Sequence, residues 1–274
     1  ANNSDIDAGW GAKPVIIDWD GDKKNDLLIA DKTGQITWFR NIGSSGSPVF
    51  SSGSKIQGEE AALDVGDFST PAVVDWNGDK RKDLVVGNEL GNISVYLNLG
   101  TNDSPVFGAG FNLQQTIGTA STATANTMDL DVGYNAMPFI VDWDEDGKKD
   151  ILVGDRYGKV CVYLNSGTDN EPVFGSKTII QKTVITEVYD TKTKKMVGTQ
   201  TLEDLDVGDN ASVYAIDWNN DKAIDLIAGN ASGDVGVFLN SGSNKQPVFG
   251  TYTPLLSNGT NINVRRNATP FVCH

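Results

Sequence analysis

An all-β fold follows from three features of this 274-residue chain. No segment sustains a helical period. Thirty glycines, with abundant Asn, Asp, Ser and Thr, suit short strands joined by tight turns. The third feature is internal repetition, which decides the architecture. Aligned on one aspartate, the chain reads "PVIIDWDGDKKNDLLIADKTGQITWFRNIG", "PAVVDWNGDKRKDLVVGNELGNISVYLNLG", "PFIVDWDEDGKKDILVGDRYGKVCVYLNSG" and "VYAIDWNNDKAIDLIAGNASGDVGVFLNSG", each followed by a polar stretch and "PVF". The anchors Asp18, Asp75, Asp142 and Asp217 stand 57, 67 and 75 residues apart.

Within a unit, a first strand ends at Asp-Trp and an acidic loop follows. A short apolar second strand comes next, such as "LVVG" at 84–87. A turn centred on Gly34, Gly91, Gly158 or Gly233 leads into a third strand, such as "ISVYLN" at 93–98. Glycine there suits a backbone of positive φ. After "PVF", the pattern predicts a fourth strand ending in the recurring "LDVG" (63–66, 130–133, 205–208), with "IDAG" (6–9) as its N-terminal counterpart. Four antiparallel strands repeated in tandem form the blade of a β-propeller. The expectation is one domain over 1–274, with repeat cores at about 14–50, 71–107, 138–174 and 213–249, and a partial repeat at 262–274.

The segment "KTVITEVYDTKTKKMVGTQTL" (182–202) alternates like a hairpin projecting from a blade rim, a tolerated excursion or an added recognition surface. The C-terminal "INVRRNATPFVCH" aligns with "LDVGDFSTPAVVD" (63–75), so His274 falls where a fifth loop would begin. This leaves surplus terminal strands. A piece of a longer propeller, a compact four-bladed ring with overlapping ends, and a surplus strand pairing with another subunit to give a filament all fit that pattern.

The units resemble the FG-GAP/VCBS-type repeats of calcium-binding β-propellers, found in integrin α-subunit heads, some fungal lectins and many secreted bacterial proteins. The resemblance covers nearly the whole chain and implies the fold more than any one role.

The acidic loops carry the chemistry. Their candidate ligands are Asp18, Asp20, Asp22 and Asp26 at loop positions 1, 3, 5 and 9, with the Lys24 carbonyl at position 7. The equivalents are Asp75, Asn77, Asp79, Arg81 and Asp83; Asp142, Asp144, Asp146, Lys148 and Asp150; and Asp217, Asn219, Asp221, Ala223 and Asp225. Alternate positions in a tight loop converge hard oxygens, which suits Ca²⁺, about four ions in all. Zinc would want Cys or His, and magnesium prefers fewer protein ligands. The competing reading has these side chains capping their own backbone. Unneutralised, two carboxylates about 4 Å apart repel by about 1 kcal/mol in water, and a divalent ion reverses the sign. The EF-hand-like glycine at position 6 survives only as Gly147. Lys23, Lys80 and Lys222 replace it, so those loops are expected to bend differently, and the third to be most regular, with Glu145 facing solvent.

Trp19, Trp76, Trp143 and Trp218 follow the first ligand in every unit and are expected to pack between blades, as are Phe39, Tyr96, Tyr163 and Phe238. Trp10 and Trp38 lie outside that row and are the candidates for ligand contact. Cys161 and Cys273 suit either one disulfide or two thiols.

With 22 basic and 36 acidic residues the chain carries a formal charge of −14, which disfavours nucleic acid and anionic membranes. No apolar run is long enough for membrane insertion. "ANNSD" suits a mature N-terminus left after removal of a signal peptide. With no His before His274, Ser-His-Asp and Cys-His arrangements are not available. The expected role is a secreted, non-catalytic structural or binding module at the cell surface, with carbohydrate or extracellular protein as partner, or self-association. Some related propellers are polysaccharide lyases, and in that reading Glu59, Glu60 or Asp67 would supply the acids.

Overall fold

The second strand of each unit explains why the chain folds into sheets. "DLLIA" (Asp26–Ala30), "DLVVG" (Asp83–Gly87), "DILVG" (Asp150–Gly154) and "DLIAG" (Asp225–Gly229) are continuous apolar runs, and the last three are buried at every residue. A strand covered on both faces has no polar side to alternate with. The computed structural model, which describes residues 6, 9, 11–117 and 126–272, builds four four-stranded antiparallel sheets around these strands. Among the described residues there is no helix.

The register repeats from sheet to sheet. The first strands Lys13–Ile17, Thr70–Val74, Met137–Val141 and Ser212–Ile216 pair residue by residue with the second strands, as in Lys13 with Ala30 and Met137 with Gly154. Third strands Ile36–Phe39, Ile93–Tyr96, Val160–Tyr163 and Val235–Phe238 follow. The first strands are sheet edges, which is why Pro14, Pro71 and Pro138 are tolerated in them.

The fourth strands are present but interrupted. They are two-residue pieces, Ser54–Lys55, Phe111–Asn112, Thr178–Ile179 and Thr253–Pro254. "LDVG" lies beyond them and still pairs with its own sheet: Asp64, Asp131 and Asp206 form isolated antiparallel bridges with Gln35, Asn92 and Lys159, next to the turn glycines, before the chain crosses to the next sheet. Its aspartate breaks the strand by accepting the N–H two residues on: Gly66 to Asp64 at 3.0 Å, Gly133 to Asp131 at 2.7 Å and Gly208 to Asp206 at 2.9 Å. Its valine donates to the turn glycine of its own unit, Val65 to Gly34 and Val207 to Gly158, both at 2.9 Å. Those turn glycines do hold positive φ, 80° to 91°.

Three hydrophobic clusters form the core, one between each pair of consecutive sheets. Alternate residues of a second strand serve the two sides: Leu84 faces the first sheet's cluster and Val85 the third's. Gly87 and Gly154 end their strands where the next first strand crosses. A Cβ there would collide with the carbonyls of Ala136 and Ala211. The 182–202 segment forms the expected hairpin, Gln181–Asp190 with Lys195–Asp204, largely exposed. Trp10, Cys273 and His274 lie outside the described residues, and with them the disulfide question. Cys161 is buried in the third sheet, where desolvation pushes its thiol up to about 12.

All four first strands line one cavity of about 290 Å³. Lys13 is the charged residue among them, and burial lowers its pKa to about 8. Between that value and the unfolded value near 10.5 the unfolded chain binds the extra proton, so this contribution makes stability rise with pH across that window. Lys13→Met is expected to stabilise the protein by about 1–2 kcal/mol at pH 7, allowing for solvent screening, and to flatten the rise above pH 8. Denaturant melts of both proteins from pH 7 to 10 check it, and parallel curves would refute it.

Candidate metal loops

Each acidic loop is held at its base by a buried carboxylate. Asp26, Asp83, Asp150 and Asp225, at position 9, are at most 1% exposed. One oxygen accepts the backbone N–H of the loop tryptophan: Trp19 at 3.2 Å, Trp76 at 2.8 Å, Trp143 at 2.9 Å and Trp218 at 3.0 Å. The other accepts the N–H of Asn41, Asn98, Asn165 or Asn240 at 2.7–2.8 Å. Burial raises the pKa of Asp26, Asp83 and Asp150 above the usual carboxylate range, against the pull of these backbone donors.

The asparagines extend the clamp. Asn165 Oδ1 accepts the N–H groups of Gly167 and Val173, both at 3.0 Å, and the other three repeat the pattern. This network was overlooked in the sequence, although its signal is there: the Asn two residues before the last glycine of each aligned unit.

Positions 1 and 5 also bind their own loop. Asp18, Asp75, Asp142 and Asp217 each accept two loop N–H groups at 2.8–3.1 Å. Asp22, Asp79, Asp146 and Asp221 each accept the N–H of position 7, that of Lys24, Arg81, Lys148 and Ala223. Much of the capping reading therefore describes these loops as they stand. It does not preclude a metal, because each carboxylate oxygen has more than one lone pair.

The four loops share one bend, contrary to expectation. Positions 4 and 6 are left-handed throughout: Gly21 and Lys23 (81° and 66°), Gly78 and Lys80 (78° and 68°), Glu145 and Gly147 (60° and 85°), Asn220 and Lys222 (62° and 75°). The third loop thus shifts the strain from position 6 to Glu145, at about 1 kcal/mol for a non-glycine residue. Glu145 is exposed, and its Oε1 also accepts a 2.7 Å hydrogen bond from Asn244 of the fourth unit.

Two loops bring three carboxylates together. Oxygens of Asp18, Asp20 and Asp22, and likewise of Asp142, Asp144 and Asp146, lie within 4.8 Å of one another. In the second and fourth loops Asn77 and Asn219 stand at position 3 and donate to Asp79 and Asp221 at 2.9 and 2.8 Å. Position 9 belongs to neither three-acid group.

The two triads differ in electrostatics. Around the first, Arg40 Nε sits 2.6 Å from the fully buried Asp20 carboxylate and Lys24 3.0 Å from Asp22. Asp20 Oδ1 also accepts the Asp22 N–H at 3.1 Å. In the third loop Lys148 pairs with Asp146 at 2.8 Å and holds it below the usual carboxylate range. The position of Arg40 is there taken by Leu164, and Asp144 Oδ1 is buried with no hydrogen-bond partner. Asp20 Oδ2 is also buried without a hydrogen bond, but Arg40 pairs with it, so among the described residues the third triad holds the buried carboxylate oxygen with neither a hydrogen bond nor an ion pair, a setting that suits a hard cation.

The tryptophan row packs as expected in three units and not in the fourth. Trp19, Trp76 and Trp143 are buried, and Trp19 and Trp143 each lie 6.3 Å, centroid to centroid, from the phenylalanine of the next unit's "PVF", Phe107 and Phe249. Trp218 is exposed. Tyr163 and Phe238 are buried, Phe39 and Tyr96 half-buried. Trp38 lies half-buried against the first cluster.

No protein-family model and no curated protein matches the chain. Several solved structures are similar to the chain, among them two at low identity. A chain of the Photorhabdus luminescens Tc holotoxin pore aligns at 15% identity with a TM-score of 0.36, over 92% of this chain and 12% of that one. BBS1N, solved in complex with ARL6DN, aligns at 16% identity with a TM-score of 0.34, over 82% and 78% of the two chains. The chain therefore spans about an eighth of the toxin chain it matches.

Proposed function

We propose that the chain is a calcium-stabilised β-propeller module of the FG-GAP/VCBS type. It is secreted, stands at a cell surface, and acts without catalysis as a structural or binding unit for carbohydrate or extracellular protein. The common register of the four sheets, their stacking through Trp–Phe contacts and the shared cavity of the first strands support the propeller reading.

The observation that carries the calcium reading is the orphaned Asp144 oxygen in the third triad. Asp142, Asp144 and Asp146 would hold the ion, with the carbonyl of Lys148 completing the set. A divalent cation there would neutralise repulsion that no arginine relieves. The first loop ranks second, because Arg40 already neutralises Asp20.

Thermal melts test this. Calcium at a hundredfold excess over Kd adds about 2.7 kcal/mol, which raises the Tm of a chain this size by about 5–10 °C. Asp144→Ala removes most of the gain and Asp20→Ala little of it. Superimposable melts in EDTA and in calcium would end the calcium reading. A glycan array with calcium present then separates a lectin from a structural role.

A further inference from the structure

Among the described residues, one flank of the fourth sheet is open where the same flank of the other three is covered. Trp19, Trp76 and Trp143 are 0%, 2% and 4% exposed, whereas Trp218 is 43%. Val65, Val132 and Val207, at the crossovers, are 5%, 4% and 6% exposed, whereas Val264 is 56%. Leu255 and Ile262, whose equivalents in the first three units are buried, are also partly open. In each earlier unit these positions form the wall against which the next sheet packs.

Beside this wall runs a segment that belongs to no sheet. Ala268 N donates to Asn230 O at 2.8 Å, as Ala136 does to Asn88 at 3.0 Å and Ala211 to Asp155 at 2.9 Å. The chain then continues as Thr269–Val272 along the fourth sheet, with Phe271 packed edge-on at 5.4 Å against Tyr214, whose hydroxyl donates to Val272 O. After Ala136 and Ala211 the equivalent strands pair with a second strand. No second strand pairs with Thr269–Val272 among the described residues. An apolar cavity of about 750 Å³ lies there, between Trp218, Val264 and Phe271 on one side and Ala12 and Pro14 of the first unit on the other.

We propose that this cleft is a strand-addition site whose occupant is a β-hairpin of the repeat's own pattern. Its first strand, of the Asp-Leu-Val-Val-Gly type, pairs antiparallel with Thr269–Val272 as second strands do elsewhere. Its apolar side chains cover Trp218, Leu255 and Val264. The three unit-to-unit interfaces inside the chain define the fit, and main-chain pairing supplies a directional component that a bare apolar patch lacks. The site depends on packing between units and on no bound ion, so it stands or falls apart from the calcium reading.

The probe is a labelled synthetic peptide of residues 83–98, "DLVVGNELGNISVYLN", titrated into the 274-residue chain and followed by fluorescence anisotropy. Saturable binding is expected, weakened roughly tenfold or more by Trp218→Asp and by Val264→Asp. Both residues are exposed, so the fold should survive, and an unchanged melt verifies that. Leu90→Asp, at an exposed turn of the second unit, should leave binding unchanged. No saturation at millimolar peptide, equal binding of a scrambled peptide, or indifference to Trp218→Asp would each overturn the proposal.

Discussion

Asp150→Ala is expected to cost about 3–5 kcal/mol, among the most damaging single changes available in this chain. The carboxylate is 1% exposed and accepts two backbone N–H groups, Trp143 at 2.9 Å and Asn165 at 2.7 Å. Truncation leaves both donors buried without acceptors, at about 1–3 kcal/mol each, and opens a void under the loop. Some of the loss is returned, because burial of the charge is itself unfavourable and raises the Asp150 pKa. The sign follows from that direction. A carboxyl whose folded pKa exceeds its unfolded value destabilises the protein increasingly as pH rises from the unfolded to the folded pKa, then by a constant amount above it. Asp150→Asn keeps one acceptor oxygen and no charge, so it should be the milder substitution by about 1–2 kcal/mol. Urea denaturation with matched m-values checks the series. An Asp150→Ala midpoint within error of wild type would show that the clamp is dispensable.

The same clamp shows how far the sequence could be read. Strand order, turn glycines and the buried second strands were legible because apolar runs and Gly-centred turns impose local conformation directly. The loop acids were legible as a cluster, but their division of labour was not. Position 9 reads like a ligand because it is an aspartate in phase with the others. Only the fold reveals that both its oxygens are taken by N–H groups seven residues before and fifteen residues after it. Its partner asparagine read as the last residue of the third strand, as in "ISVYLN". The difference between the first and third triads was equally hidden, since it depends on whether position 40 or its counterpart 164, two strands away, carries a guanidinium or a leucine. "LDVG" ends the fourth-strand path as its alternating pattern suggests, but through a single bridge per unit, because an aspartate that can accept the N–H two residues on stops the pairing there.

The tryptophan row gives the second large effect, and it turns on position along the array and not on residue type. Trp143→Ala should cost about 3–5 kcal/mol, the range for removing a large buried aromatic, because its ring is closed in between the third and fourth sheets against Phe249. Trp218→Ala should cost less than about 1 kcal/mol, although it is the same residue at the same repeat position, because nothing among the described residues closes over it. Trp19→Phe sharpens the comparison. The Trp19 indole N–H is buried with no acceptor, so phenylalanine removes an unsatisfied donor while keeping most of the ring contact with Phe107. Its cost should fall well below that of Trp19→Ala. Chemical denaturation of the four Trp→Ala variants measures the gradient directly. Equal losses at positions 143 and 218 would mean that the fourth sheet is covered in solution, and adding the 83–98 peptide should move the two values toward each other if a hairpin of the repeat pattern is what covers it.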